Sequence, residues 1–435
     1  MQGERRFFRV VLKWLAKNHP EDVIRNLENI PFYGRWDDLY VLVGTPAEDK
    51  AFDLMKRQLV LDLKSKTPSL LAKWLKSENT SSAESRKLAN LTREKFNLTS
   101  REYRKALSAL RERIRVLERL MSAGRWDEIE FDKIPSRAGM IYRNAFARHD
   151  IERQKAGKAT YESFIKDTST KVNAKTLYPY ECVAEAVEAM HPDHWYRNRA
   201  NVPLDDLNRL AVNKYWENLT DYFNGANFNG IAVVDTSGSM TGREASAPIN
   251  VAISLGLYCA EHNKGPFAGH YISFSSRPRW IATEGVDFCD KVDRIYRTNL
   301  CENTNIEATF DLLLNMARRP DVKKEDIPKN VIIISDMEFD SARGCYSYGM
   351  RTDHTSPATL MEKIAAKWHA YGLEMPNLIF WNVQARQNNI PMTVKDGITF
   401  VSGFSPVLFE QIMKGKTAID LMLDVLDGEM YARVK

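Results

Sequence analysis

The chain has 435 residues, of which 44% are hydrophobic and 27% charged, and its formal net charge is +5. That length exceeds one ordinary core and predicts two domains or three, and the composition excludes a disordered chain. No stretch approaches the roughly 20 uninterrupted apolar residues of a membrane span, so no membrane partner is expected.

The first element, within "MQGERRFFRVVLKWLAKNHP", is basic, amphipathic and without the cleavage site of a signal peptide, so it reads as a helix. Its spacing places Phe7, Val10, Val11, Trp14 and Leu15 on one inward face. "YGRWDDLYVL" at 33–42 returns as "AGRWDEIEFDKIP" at 123–135. Each copy reads as a turn that opens a helix, with Asp37 and Asp127 near its N-terminus. Two such copies fit a loosely repetitive helical array.

"SREYRKALSALRERIRVLERLMSAG" predicts one long helix with Tyr103, Leu107, Leu110, Ile114, Leu117 and Leu120 inward, stopped by Gly124. Residues 86–119 hold eleven Lys and Arg against four acids. Arg104, Arg111 and Arg115 are spaced by seven and four, which puts them on one helical face. With Lys105 and Arg119 they form a candidate stripe for the phosphates of a nucleic acid. A solvated surface helix is the competing reading. "PYECVAEAVEAM" and "PLDDLNRLAVNKYWENLTDYF" each open with Pro and an acidic first turn, which predicts two more helices. Between them, His191 and His194 in "HPDHW" have no matching cluster and read as loop residues.

After Gly225 the pattern changes. "GIAVVD", "GHYISF", "NVIIISD", "NLIFWNV" and "ITFVSG" read as nearly continuous apolar strands, alternating with helices such as "SAPINVAISLGLYCAEHN" and "NIEATFDLLLNMARR". That alternation predicts a parallel, doubly wound α/β sheet. The expected fold class is therefore α plus α/β: a helical, repeat-like array over 1–205, then a doubly wound sheet domain over 206–435. The first part carries 38 Lys and Arg against 29 Asp and Glu, and the second 24 against 28. Modules of opposite charge are expected to have different partners.

Ligands of open α/β sheets sit beyond the carboxyl ends of the strands. Asp235 ends one strand in "IAVVDTSGSM", Asp336 ends another, and Thr304 lies in a loop between them. With Ser237 and Ser239 these form an all-oxygen set that suits Mg²⁺, Mn²⁺ or Ca²⁺ rather than Zn²⁺. The competing reading is a helix cap built from the same residues. Glu338 and Asp340 next to Asp336 either raise metal affinity or repel an acidic ligand. The stretch "EFDSARGCYSYGMRTDHTS" is either a recognition loop or an insertion without fixed structure.

Asp235-x-Ser237-x-Ser239 with Thr304 and Asp336 resembles the metal-ion-dependent adhesion site of von Willebrand factor A domains. The resemblance implies that the serines and the threonine hold the ion, that the aspartates act largely through water, and that a partner's Asp or Glu completes the shell. A helical domain ahead of such a sheet resembles the Ro autoantigen family, whose helical (TROVE) module binds non-coding RNA. "IPFYGRWDDLYVLVG", "FDKIPSRAGM" and "IISDMEFD" are similar to Ro-like proteins of the same architecture. The Ro module is a closed ring made from more chain than the ~205 residues here, so part of a ring, an open array, and assembly of several chains all stay open.

An enzyme is not expected. Ser237 stands where an aspartyl phosphatase would need a second carboxylate, and no phosphate loop, dinucleotide fingerprint or G-x-S-x-G elbow is present. The five cysteines are odd in number, far apart and without CxxC, which fits reduced thiols in a cytoplasmic protein. The functional expectation is a Ro-like RNA-binding protein with a metal-dependent dock for an acidic protein. The alternative is a metal-dependent protein scaffold without RNA.

Overall fold

The computed structural model describes residues 5–190, 206–223, 228–242, 244–275, 277–297, 305–336, 357–384, 398–403, 409 and 418–435. The chain forms two compact units. The first comprises residues 1–131, 148–160 and 416–435, and the second 132–147 and 161–415. The expected division at 205/206 therefore runs inside the second unit.

In the first unit the main helices are α1 (Arg6–Asn18), α2 (Glu48–Lys64), α3 (Ala83–Phe96) and α4 (Ser100–Arg113). They close over a core that includes Leu12, Leu39, Phe52, Met55, Phe96, Tyr103, Leu107 and Leu110. The α4 start is a capping box: Glu102 N–H donates to Thr99 Oγ1 (3.3 Å) and Thr99 N–H donates to Glu102 Oε2 (2.8 Å). Both Gly-Arg-Trp-Asp copies fold as 3₁₀ turns, Trp36–Leu42 and Trp126–Glu128, in place of the expected helix starts.

The structure departs from the sequence pattern in two helices of this unit. α1 turns Phe8, Leu12, Leu15 and Ala16 to the core and leaves Phe7, Val10 and Trp14 exposed. Its rotation is fixed by Arg9, which donates to Asp38 (2.7 Å) and Asp37 (2.9 Å), and by Arg5, which donates to Asp38 (2.5 Å). The long helix expected over 100–124 is in fact two, α4 and Leu117–Ser122. Arg115 takes a left-handed conformation (φ 49°) between β-branched Ile114 and Val116. The amides of Arg115 and Val116 then close onto the carbonyls of Glu112 and Arg111, ending α4 as a Schellman motif does. Gly124 (φ 68°) stops the second helix as expected.

The second unit is built on a six-stranded sheet. Its strands are β1 (Gly230–Asp235), β2 (His270–Phe274), β3 (Trp280–Ala282), β4 (Asn330–Ser335), β5 (Asn377–Asn382) and β6 (Ile398–Ser402), in the order β3-β2-β1-β4-β5-β6. Five strands are parallel and were legible as apolar runs. β3 is antiparallel to β2, so the sheet is mixed with mostly parallel strands. Its three residues are too few to show a period in the sequence.

The helices of this unit include α5 (Pro179–Met190), α6 (Asp206–Glu217), α7 (Pro248–His262), α8 (Phe288–Arg297), α9 (Ile306–Ala317) and α10 (Pro357–Ala370). Gly256 lets α7 lie directly on β1, since a Cβ there would run into Val234. Residues 161–223 belong with the sheet for a packing reason. Trp216 stacks on Phe288 at 4.2 Å and donates to Glu261 (2.9 Å), and Tyr222 N–H donates to the Tyr258 hydroxyl (2.8 Å).

Candidate metal centre and basic surface

β1 and β4 are neighbouring parallel strands with Val234 paired to Ile334, and each ends in an oxygen donor. Asp235 is 1% exposed and Asp336 3%. Ser335, one step beyond the Val234–Ile334 pair, donates its hydroxyl to Asp235 Oδ2 at 2.5 Å. Ser237 N–H donates to Asp235 Oδ1 at 2.9 Å, an Asx turn that folds the chain back over the strand end. The 3₁₀ turn Gly238–Met240 then brings Ser239 Oγ within 3.1 Å of Ser237 Oγ. Beneath it, Asp336 N–H donates to the buried Met240 Sδ at 3.2 Å, which ties the turn to the end of β4.

Burial pushes the Asp235 carboxyl above its ordinary range, the Ser335 and Ser237 donors pull it down, and the Asp336 charge pushes it up again. Ser275 lies one residue past Phe274, which is paired with Asp235 in the sheet. Its buried hydroxyl makes no hydrogen bond among the described residues. Two carboxylates and hard hydroxyl oxygens at the carboxyl ends of the two central strands fit Mg²⁺ or a similar ion. Among the described residues no group of three or more His, Cys, Asp or Glu is gathered for a metal, so any ion here relies on serine oxygens.

Four of the five expected metal residues, Asp235, Ser237, Ser239 and Asp336, thus stand at the ends of adjacent strands. Thr304 lies outside the described residues, as do Glu338, Asp340, His191, His194 and the 338–356 stretch. Ser335, Ser275 and Met240 were missed. The available signal for Ser335 was a hydroxyl closing the apolar run "VIIIS".

The basic residues fare differently. The Arg111 guanidinium is half-buried and donates to Ala72 O, Leu75 O and Ser77 Oγ, each at 2.8 Å. It caps the short helix Leu71–Trp74, and burial lowers its pKa. Arg115 has left the α4 helix and pairs with Glu128 (3.3 Å) and Glu130 (3.4 Å). Arg119 pairs with Glu112 at 3.2 Å. Arg104 is exposed with Glu78 3.9 Å away, and Lys105 is exposed. The structure therefore does not gather Arg104, Arg111 and Arg115 into one helical stripe, because α4 ends before Arg115.

Comparison with known proteins divides the chain between residues 225 and 229, inside the second compact unit. Residues 67–225 match a domain of unknown function (DUF2828), and residues 229–429 match another (DUF7788). The chain is similar to the uncharacterized protein L728 of Acanthamoeba polyphaga mimivirus, at 30% identity over 380 residues. That match takes in 82% of this chain and spans 60% of the relative's length. It also aligns with the crystal structure of Deinococcus radiodurans RO (RSR) protein, at 12% identity and a TM-score of 0.40, over 95% of this chain and 94% of that one. Among the described residues no helix is long and apolar enough to cross a membrane.

Proposed function

We propose that the protein is a Ro-like, two-module binding protein. Its sheet unit docks an acidic protein through a divalent ion, and its helical unit binds non-coding RNA. The observation that carries the docking half is the pairing of two buried carboxylates, Asp235 and Asp336, at adjacent strand ends beside the Ser237–Ser239 hydroxyl pair. When bound, Mg²⁺ (or Mn²⁺ or Ca²⁺) supplies an electrophilic centre for a partner's Asp or Glu. Ser335 orients Asp235, and Met240 holds the serine turn against β4. The residues bind and orient, and the reading includes no catalytic step.

Support for the RNA half is the excess of Lys and Arg over acids in residues 1–205, together with exposed Arg101, Arg104 and Lys105 on α4. The alternative, a metal-dependent scaffold without RNA, is favoured by one observation: Arg111, Arg115 and Arg119 already have protein acceptors. Purification of the protein with and without nuclease separates the two. RNA in the extracted material, lost from an Arg101, Arg104 and Lys105 to Gln variant, supports the RNA reading. Nucleic-acid-free wild type that still pulls down an acidic protein in Mg²⁺, and not in EDTA, supports the scaffold.

A further inference from the structure

The α1 helix, RFFRVVLKWLAKN, holds four basic residues and no acidic one. Arg9 is engaged with Asp37 and Asp38. Arg6, Lys13 and Lys17 are exposed and make no ion pair among the described residues. At 3.6 residues per turn those three lie within roughly 40° of one another, and Val10, Trp14 and Phe7 fill roughly the next 60°. The side chains of this second ridge are far from covered: Phe7 is 72% exposed, Val10 61% and Trp14 55%. The opposite face is the one packed into the core. A cationic ridge and an aromatic ridge therefore run side by side along the outer surface of one helix, and Phe7 and Trp14 are separated by about 10 Å of helix rise.

We propose that this face binds a single-stranded segment of nucleic acid, with phosphates along Arg6, Lys13 and Lys17 and unpaired bases stacked on Trp14 and Phe7. The inference rests on the RNA half of the proposed function and places it on a surface other than α4. Charge complementarity selects a polyanion. The aromatic ridge selects unpaired bases over a duplex, whose base faces are hidden within its own stack. A lipid surface fits less well, because only three apolar side chains face outward and the cations lie along one side of them rather than around them. Trp14 is also held in place at the surface, its ring lying against His19 at 5.5 Å.

The test uses the full chain and a fluorescein-labelled 12-nucleotide oligouridine, read by anisotropy at about 50 mM salt. Trp14→Ala is expected to weaken binding about tenfold, within the range for loss of one stacked base, and Trp14→Phe to keep most of the affinity. Lys13→Gln with Lys17→Gln should lower affinity and flatten its salt dependence. Unchanged binding by Trp14→Ala, with wild type binding well, overturns this inference and leaves the RNA reading standing. Wild type that fails to bind the oligonucleotide overturns this inference, and wild type that also purifies free of RNA overturns the RNA reading with it. Loss of sedimentation with phosphatidylserine vesicles in Trp14→Ala, with oligonucleotide binding unaltered, assigns the face to lipid instead. Circular dichroism of each variant controls for folding.

Discussion

Arg111 separates a structural arginine from a phosphate-binding one. Its guanidinium satisfies two carbonyls at the end of the helix Leu71–Trp74 and one serine hydroxyl, all at 2.8 Å. Hydrogen bonds from a charged donor contribute about 1.5–3 kcal/mol each, do not add fully, and are offset by the cost of burying the cation. Arg111→Ala is therefore expected to cost about 3 kcal/mol. For a unit of this size, each kcal/mol moves Tm by about 2–4 °C, so a fall of about 6–12 °C follows. Arg104→Ala, on the exposed face of α4, should stay within about 0.5 kcal/mol of wild type. Thermal and urea denaturation of both variants, followed by circular dichroism, makes the comparison. The reasoning is refuted if Arg111→Ala is as stable as Arg104→Ala, and more so if that stable variant has lost RNA.

Three further outcomes are expected. Burial alone would push the Asp38 carboxyl up, but the hydrogen bonds from Arg9 and Arg5 outweigh it and hold it below its ordinary value. The stability it contributes is present above the ordinary carboxylate range and is lost as pH falls through the depressed value. Asp38→Asn should cost about 3 kcal/mol at neutral pH and flatten the decline of stability below about pH 4, read by denaturation at several pH values. Gly256→Val, which drives a side chain into Val234, should destabilise the sheet unit by about 1–3 kcal/mol in urea titrations. Ser335→Ala should leave the fold intact and lower Mn²⁺ affinity about tenfold by calorimetry, because it frees Asp235 to turn.

The sequence made the sheet legible because the parallel strands are apolar runs, buried almost throughout in β1 and β4, and Asp235 and Asp336 stood out as carboxylates at the ends of those two runs. Ser335 did not stand out, since its partner lies 100 residues away and only the register brings them together. The α1 face was misread for a related reason. Phe7, Phe8, Val10, Val11, Leu12, Trp14, Leu15 and Ala16 nearly encircle the helix, so periodicity could not choose a side. The choice is made by Arg5 and Arg9 reaching Asp37 and Asp38 about thirty residues on. The broken helix at Arg115 had no glycine to announce it, because there a non-glycine residue takes the left-handed turn. Charge counting located the basic segment but not the acceptors that engage Arg111 and Arg115.

Calorimetric titration of Mn²⁺ into the metal-stripped protein, with Mg²⁺ competition, tests the central claim most directly. The account predicts one site per chain, displaced by excess Mg²⁺ and abolished in a folded Asp235→Ala variant. No binding by wild type, or binding unchanged by Asp235→Ala, would contradict it.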